Sequence, residues 1–316
     1  MDKLALVTRN VEEVVTLNEL KSLMDTNPRP RVYVGYEPSG NIHLGHMITA
    51  NKLVDCQNAG FEVTVLLADL HAYLNRKGTM GEIEKIADYN RSCFIALGLS
   101  EDKTKFVLGS SYQLSGKYET DVLRMACDTT LNRARRSMDE VSRDAEDPRV
   151  SQMIYPLMQA LDIAYLGVDV AMGGMDQRKI HMLAREELPS LGFSSPVCLH
   201  TPILLGLDGT KMSSSKGNNI SVDEPADSVN KKIEKAFCPI GVADNNPVID
   251  IFRYHIFIKY PSILIERPEK HGGDATYDSF ETLRDDFVSK KIHPMDLKKT
   301  AAKYMNLTLE SVRRRI

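Results

Sequence analysis

The sequence predicts an α/β protein: a Rossmann-like parallel sheet in a first domain, followed by a mostly helical second domain. In the first half, short apolar runs of strand length alternate with stretches of helical periodicity, and this alternation is typical of βαβ units in a parallel sheet. From about residue 222 onward the strand pattern gives way to charged helical stretches broken by Pro and Gly. We therefore expect one domain over residues 1–221 and a second over 222–316.

The elements of the first half follow one another in a regular order. The sequence predicts strand 31–36, helix 43–60, strand 61–67, helix 81–97, strand 105–108 and strand 168–172. Parallel sheets bind their ligands at the carboxyl ends of the strands, beside the N-termini of the following helices. Functional side chains are therefore expected at the strand-to-helix turns.

Composition excludes several classes of protein. No stretch of the 316 residues approaches the roughly 18 to 20 consecutive apolar residues of a membrane helix. The five cysteines are scattered without a CxxC pair, which argues against a disulfide framework and against a zinc site. The N-terminal residues lack the apolar segment of a secretory signal, so a cytoplasmic location is expected.

Charge is unevenly distributed along the chain. The net charge is only −3, from 40 basic and 43 acidic residues, yet residues 287–316 hold eight basic residues against two acidic ones. A basic end on an acidic body favours a polyanionic partner.

The first motif begins at a predicted strand, passes through a turn rich in Gly and Pro, and opens a helix with His43, Gly45 and His46. The free N–H groups at a helix N-terminus form a natural phosphate site. Both histidines lie on one face of the first turn and could donate to phosphate oxygens. A helix cap with two surface histidines is the alternative for this motif alone.

The second motif is the segment KMSSSK at residues 211–216, which follows Leu207-Asp-Gly-Thr. Two lysines and three hydroxyls beside glycines make a cationic loop that could wrap a triphosphate and stabilise its transition state. A solvated surface turn is the alternative for this loop by itself.

A third group of polar residues lies in an apolar context. Tyr155, Gln159 and Asp162 follow one another at helical spacing and share one face of a predicted helix. Gln177 follows a Gly-Gly turn, and Tyr33 lies in the first strand. A carboxylate and a phenol in an aromatic-sized pocket suit a substrate that carries its own hydroxyl; a half-exposed helix face is the alternative.

Together, in this order and context, the HxGH and KMSSS segments resemble the paired signatures of class I aminoacyl-tRNA synthetases. Over nearly the whole chain, four segments resemble tyrosyl-tRNA synthetases of the archaeal and eukaryotic type: YxGxEPSGxIHLGH, LLADLHAYLNxKG, IYPxMQxxDIxYLGVDVAxGGMDQRKIHMLARE and HPMDLK. The resemblance implies an enzyme that activates L-tyrosine with ATP and transfers it to tRNA(Tyr). It also implies Mg²⁺ accompanying ATP, and a homodimer that pairs through residues near 110–150.

The resemblance assigns site residues position by position. For tyrosine it implies Tyr33, Glu37, His71, Gln113, Tyr155, Gln159, Asp162, Asp176 and Gln177. For ATP it implies Gly35, His43, Gly45, His46, Met212 and Ser214. For the reaction it implies His43, His46, Lys211, Ser213 and Ser214. The KMSSS loop, at 211–215, has Ser214 where the family often has a second lysine.

The same resemblance assigns residues to tRNA. The basic cluster of Arg133 and Arg136, within a connective insertion at about 110–150, would contact the acceptor stem together with Arg178. For the RxRR run alone, a solvated helix face is the alternative. In the C-terminal domain the implied anticodon residues are His293, Asp296 and Lys298, with Phe257 (or, failing that, His255) as the aromatic stacking partner.

Three other functions are compatible with parts of the sequence. A tryptophanyl-tRNA synthetase would share the architecture but would need an indole-shaped pocket. A small-molecule nucleotidyltransferase would use HxGH without an anticodon-like HPMDLK segment. A catalytically inactive RNA-binding paralogue is the non-enzyme alternative, against which the intact His43, His46 and Lys211 argue.

Overall fold

A computed structural model describes residues 2–138, 149–212 and 216–316. In these ranges the strands are β1 (Glu13–Val15), β2 (Arg31–Tyr36), β3 (Glu62–Leu67), β4 (Thr104–Leu108), β5 (Val170–Gly174), β6 (Val197–Thr201), β7 (Ile263–Ile265) and β8 (Ala275–Tyr277). The helices are α1 (Lys3–Thr8), α2 (Leu17–Thr26), α3 (Leu44–Ala59), α4 (Asp69–Leu74), α5 (Met80–Ala96), α6 (Ser110–Gln113), α7 (Gly116–Asp128), α8 (Leu131–Met138), α9 (Val150–Tyr165), α10 (Arg178–Glu187), α11 (Ala226–Lys235), α12 (Pro247–Ile251), α13 (Phe257–Lys259), α14 (Phe280–Val288) and α15 (Pro294–Arg315).

The main sheet has the strand order β1-β6-β5-β2-β3-β4. Strand β1 pairs antiparallel with β6 at one edge, and the other neighbours are parallel. Strand β3 is buried at every residue after Glu62, including Thr64, as expected for a parallel strand that is covered on both faces. The predicted α/β class with a parallel sheet is confirmed.

The predicted strands and helices of the first half lie within two residues of the observed bounds, but the sequence pattern missed β1 and β6. Strand β1 has only three residues, too few for a recognisable alternation. Strand β6 is buried along its whole length and contains His200 and Thr201, so it shows no continuous apolar run. The pair β7–β8, also of three residues each, lies in the part predicted to be mostly helical.

The chain divides into two compact units. The first comprises Met1–Gly40 and Lys52–Ile203, and contains the main sheet. One buried cluster of this unit joins Tyr33 of β2, Leu66 of β3, Leu161 of α9 and Leu183 of α10. The sheet and these helices therefore share one core.

The second unit comprises Asn41–Asn51 and Leu204–Ile316. Its longest helix, α15, starts with Pro294 in the first turn and with His293 as N-cap, whose ring accepts from the backbone N–H of Met295. In the same unit the backbone of His43 forms an isolated antiparallel bridge with Ser221.

None of the helices in the described ranges is long and apolar enough to cross a membrane.

Candidate active site

The carboxyl ends of the parallel strands bring the predicted tyrosine-site residues of the first unit together. Glu37 follows β2, His71 lies in α4 after β3, and Gln113 ends α6 after β4. Asp176 and Gln177 lie in the short 3-10 turn after β5. These side chains meet at one edge of the sheet because all four strands end there.

Asp162 is the centre of this group. It is fully buried on α9. Its Oδ1 accepts hydrogen bonds from Tyr112 Oη at 2.7 Å and from Gln113 Nε2 at 2.7 Å, and Tyr118 Oη lies 2.8 Å from the same oxygen. Among the described residues Oδ2 has no hydrogen-bond partner, with His71 Nε2 3.7 Å away. One oxygen is thus fixed and the other is left as an acceptor.

Two opposing effects act on the pKa of this carboxyl. Burial prevails and raises the pKa of Asp162 above its ordinary value, although His71 and the hydrogen bonds from Gln113, Tyr112 and Tyr118 act to lower it. Burial and the nearby Asp162 charge in turn raise the pKa of Tyr33 well above its ordinary value. The Tyr33 phenol therefore keeps its proton and can donate it.

Gln159 and Gln177 form a second polar layer. Gln159 Nε2 donates to Gln177 Oε1 at 3.0 Å, and Gln177 Nε2 donates to Asp176 Oδ2 at 2.6 Å. These bonds fix the orientation of both amides. Gln159 Oε1 is buried and has no partner in the described part of the chain.

Tyr155 and Glu37 form a third contact. Tyr155 Oη donates to Glu37 Oε1 at 2.7 Å, and Asn75 Nδ2 lies 2.5 Å from the same oxygen. Lys77 Nζ lies 3.9 Å from Glu37 Oε2. The ring of His71 meets Tyr155 edge to face, with centroids 4.5 Å apart.

Helix α9 therefore carries two buried acceptor oxygens that have no hydrogen-bond partner in the described structure, Asp162 Oδ2 and Gln159 Oε1. They lie about one turn apart on α9, in the order that the sequence pattern predicted. Buried acceptors without donors are costly. A ligand with a hydroxyl at one end and an ammonium at the other would satisfy both.

In the second unit the HxGH segment has a defined hydrogen-bond pattern. The Gly45 N–H donates to His43 Nδ1 at 3.1 Å, and the His43 N–H donates to His46 Nδ1 at 3.3 Å. Burial lowers the pKa of His43 to about 4 and lowers that of His46 as well. Both rings are therefore neutral near pH 7 with the proton on Nε2, since each Nδ1 acts as an acceptor.

Gly45 is required by this packing. A Cβ atom there would lie 2.9 Å from His43 Cε1 and 3.3 Å from Met212 Sδ. The HxGH helix start and Met212 of the KMSSS segment are thus in contact within this unit.

The base of the KMSSS segment is held by a small polar cluster. Asn218 Nδ2 lies 2.9 Å from Asp208 Oδ1 and donates to the Lys211 carbonyl at 3.2 Å. Lys211 is exposed and bridges to Leu205 through its backbone. Ser213 and Ser214, which the sequence assigns to the reaction and to ATP, lie outside the described residues. Gly35, the remaining ATP candidate, is an exposed residue of β2.

The predicted acceptor-stem arginines differ in their surroundings. Arg133 is held by Glu186, 2.8 Å away, and by Ser137 Oγ at 3.0 Å, so its guanidinium is largely occupied. Arg136 is exposed, and within the described residues it donates to its own helix, at the Asn132 carbonyl. Arg178 forms an ion pair with Glu13.

The predicted anticodon residues lie on or near α15. His293 is exposed, Asp296 and Lys298 are half-buried, and Lys298 Nζ donates to the Glu234 carbonyl at 3.0 Å. Phe257 is half-buried between aromatic neighbours. His255 is 1% exposed, which leaves no ring face open for stacking on a base.

Sequence reasoning missed Tyr112 and Tyr118, whose hydroxyls hold Asp162, and Asn75, which holds Glu37. Tyr112 stands beside the predicted Gln113 just after a strand, and this position was the available signal. Tyr118 gives no signal in the sequence because its contact depends on how α7 packs on α9. In residues 2–138, 149–212 and 216–316, no group of three or more His, Cys, Asp or Glu side chains could hold a metal ion.

Comparison with known proteins gives one consistent picture. Residues 24–310 match the family model of class I tRNA synthetases (W and Y). A tyrosine–tRNA ligase of Archaeoglobus fulgidus is 66% identical over 315 residues, covering 100% of this chain and 98% of that protein. One of Methanosarcina barkeri is 62% identical over 314 residues, covering 99% of each. The crystal structure of a tyrosyl-tRNA synthetase complexed with L-tyrosine from Archaeoglobus fulgidus superposes with a TM-score of 0.97 at 66% identity, over 99% of this chain and 98% of that one.

Proposed function

The chain belongs to the family of class I tRNA synthetases for tryptophan and tyrosine, and from this premise we propose that its own amino acid is tyrosine. It is a tyrosine–tRNA ligase: it activates L-tyrosine with ATP to tyrosyl-adenylate and transfers the tyrosyl group to the 3′ end of tRNA(Tyr).

Tyrosine recognition is the step for which the described residues offer the most support. We assign the substrate hydroxyl to Asp162 Oδ2, with Tyr33 as a second partner, because Oδ2 is the carboxylate oxygen left open while Tyr112 and Gln113 donate to Oδ1. Gln159 Oε1, the other open acceptor on α9, would receive the ammonium group together with Tyr155 and Gln177. His71, Gln113, Glu37 and Asp176 would hold these side chains in place.

Activation needs no covalent nucleophile from the protein. A carboxylate oxygen of tyrosine attacks the α-phosphorus of ATP, the bond to the bridging oxygen breaks, and pyrophosphate leaves with the electron pair. We assign His43 and His46 to the phosphates as neutral Nε2–H donors, and Lys211 with Ser213 and Ser214 to the charge that develops on the leaving group. Positioning and charge stabilisation of this kind supply most of the rate enhancement in such reactions.

The remaining ATP contacts would come from small or flexible residues. Gly35 in the first unit and Gly45 in the second would each permit close approach of a nucleotide, and Met212 would pack beside Gly45. Mg²⁺ would enter with ATP, bound by its phosphate oxygens.

The tRNA would be bound by two sets of residues. Arg133, Arg136 and Arg178, of a first domain at 1–221, would contact the acceptor stem. Residues 222–316 would read the anticodon: Asp296 would accept from the base edge of G34, Phe257 would stack, and His293 and Lys298 would flank them. The basic residues of 287–316 would add long-range attraction for the polyanion.

A homodimer and a cytoplasmic location complete the proposal. Several large apolar side chains between residues 114 and 150 are exposed, which supports pairing through this segment: Leu114 at 64%, Leu123 at 68%, Leu131 at 70% and Val150 at 77%.

The observation that carries the choice of amino acid is the buried Asp162 carboxylate with one oxygen held and one open. The test is ATP–pyrophosphate exchange with each of the twenty amino acids and no tRNA. Exchange with tyrosine alone is the expected result. Exchange with tryptophan would agree with the fold but overturn the assignment of Asp162. No exchange with any of the twenty amino acids would favour an RNA-binding paralogue.

A further inference from the structure

The Glu13 carboxylate contacts two side chains on opposite sides, those of Arg178 and His200. It lies in the edge strand β1, directly opposite His200 of β6. Its carboxylate accepts from Arg178 Nε at 3.0 Å to Oε1 and 2.8 Å to Oε2. On the other side, His200 Nδ1 lies 2.8 Å from Oε2. One carboxylate therefore serves both an arginine and a histidine.

Arg178 is oriented by this contact and keeps most of its donors. Among the described residues, Glu13 is the acceptor that contacts the guanidinium, and only Nε is used. A guanidinium carries five N–H bonds in a planar fork. The Arg178 side chain is 42% exposed. In the described part of the chain its four terminal N–H bonds have no acceptor, which leaves them for a phosphate or a base edge.

On the histidine side, the contact between Glu13 and His200 continues as a buried hydrogen bond between His200 and His181. His200 Nε2 lies 3.0 Å from Nδ1 of His181, and their side chains are both about fully buried. Burial lowers the pKa of His181 to about 3 and also lowers the pKa of His200, so both rings are neutral near pH 7. The hydrogen bond from Arg178 lowers the pKa of Glu13, which stays a carboxylate.

These protonation states fix the position of each hydrogen. A carboxylate can only accept, so His200 must carry its proton on Nδ1 and use Nε2 as an acceptor. His181 must then donate from Nδ1, which leaves its own Nε2 without a proton. Glu13 therefore sets the tautomer of two rings in succession.

His181, the last residue in the series of contacts that runs from Glu13 through His200, lies beside the candidate tyrosine site. A Cβ atom on Gly173 would lie 3.3 Å from His181 Cε1 and 2.8 Å from the Cβ of Gln177. His181 and Gln177 thus pack against the same glycine, one turn apart on the chain.

We propose that Glu13 is a positioning residue with two functions: it holds Arg178 for the acceptor end of tRNA, and it fixes the tautomers of the His200–His181 pair behind Gln177. The first function rests on the proposed function of the chain, since it takes Arg178 as a tRNA contact. The second rests on the described geometry alone.

The tautomers are tested by ¹⁵N NMR of the histidine rings. In Glu13→Ala the His200 Nδ1–H has no carboxylate to donate to, so the Nδ1–H form loses its advantage over Nε2–H, the form that an unrestrained neutral imidazole side chain favours. We expect both rings to change from the Nδ1–H to the Nε2–H form at pH 7. Rings that stay Nδ1-protonated in this variant would overturn the proposal.

The transfer step is tested by comparing aminoacylation with pyrophosphate exchange. Glu13→Ala should lower kcat/KM for tRNA about tenfold, the usual effect of losing one oriented contact, with tyrosine-dependent exchange within about threefold of wild type. Arg178→Ala should lose at least as much, and the double variant no more than Arg178→Ala. An unchanged kcat/KM in Glu13→Ala, or additive losses in the double variant, would overturn the proposal.

Glu19→Ala is the matched control. Glu19 forms the same kind of ion pair with Arg185, 2.9 Å apart, two turns further along α10 and without a histidine pair. It should change neither the tautomers nor the charging of tRNA; if it lowers charging as much as Glu13→Ala, the effect is general to α10 and the proposal fails. Wild-type protein that activates tyrosine but charges no tRNA would contradict the proposed function instead, and the tautomer test would remain valid.

Discussion

The residue on which substrate choice depends is Asp162, and its surroundings explain how a buried carboxylate can be tolerated. Burial penalises the charge, but the hydrogen bonds that Tyr112 and Gln113 donate to Oδ1, with the Tyr118 hydroxyl nearby, offset part of that penalty. The other oxygen remains an acceptor for a substrate hydroxyl. A substrate without that hydroxyl would leave the acceptor buried and unpaired.

The first prediction concerns this oxygen. Asp162→Asn should lower kcat/KM for tyrosine in pyrophosphate exchange by about 10- to 100-fold, the cost of a hydrogen bond to a charged group, and leave the KM for ATP unchanged. Asp121→Asn is the control, because Asp121 is also buried and also accepts from a tyrosine hydroxyl, that of Tyr165 at 2.8 Å. Equal losses in the two variants would mean that Asp162 acts only through packing.

The second prediction concerns His255, which is 1% exposed and whose ring nitrogens have no hydrogen-bond partner in the described structure. His255→Leu removes two buried polar atoms and should raise the free energy of unfolding by about 1 kcal/mol at pH 7. Burial lowers the pKa of His255 to about 3. Between pH 6.5 and 3 the unfolded chain therefore binds a proton that the folded chain does not, and stability falls as the pH falls.

Because the leucine variant lacks this group, its advantage over wild type should grow as the pH is lowered from 7 to 5. The difference in Tm between the two proteins at each pH measures it. A difference that is constant over this range would show that His255 does not titrate in this way.

At the scale of elements, the start of α3 positions the phosphate-binding candidates. His43 caps the helix through its ring, and Gly45 leaves room for that ring beside Met212. The sequence HxGH is thus explained by local sterics before any ligand is considered.

The third prediction follows from this packing. Gly45→Ala should displace the His43 ring and lower kcat/KM for ATP by about tenfold, with the affinity for tyrosine unchanged in equilibrium binding. Gly81→Ala is a matched control: Gly81 is also the second residue of a long helix, but a Cβ there would meet nothing within 4 Å. The Gly81→Ala variant should be slightly more stable than wild type and keep full activity; a normal kcat/KM for ATP in Gly45→Ala would contradict the assignment.

At the scale of the whole molecule, two binding surfaces are proposals that can be tested separately: the surface for tRNA and the surface for a second copy of the chain.

The fourth prediction separates tRNA reading from amino-acid activation. Asp296→Ala should lower kcat/KM for tRNA about 10- to 100-fold, as expected for loss of one base contact, and leave pyrophosphate exchange at the wild-type rate. Asp285→Ala, an exposed carboxylate of the same unit paired with the adjacent Arg284, should change neither. A parallel loss of both activities in Asp296→Ala would mean that residue 296 does not act through tRNA.

The fifth prediction concerns self-association. Leu123→Glu, on the exposed face of α7, should convert a dimer into a monomer in light scattering, because a charge would be buried in the interface. Leu307→Glu, 53% exposed on α15, is the control and should keep the wild-type mass. A dimeric Leu123→Glu protein would move the interface away from residues 110–150.

Much of this protein is determined by the sequence alone. The alternation of apolar runs and helical stretches predicts the parallel sheet, since strand and helix periods are local properties. Helical spacing places Tyr155, Gln159 and Asp162 on one face of α9, as the structure has them. The motifs at 43–46 and 211–215 and the family resemblance lead to the reaction.

Only the tertiary structure decided which side chains hold these groups. Tyr112 and Tyr118 reach Asp162 across 50 and 44 residues of sequence, and Glu13 reaches His200 across 187. The short edge strand β1 exists because β6 offers it a partner. Such contacts depend on how elements pack, and no local period in the chain encodes that arrangement.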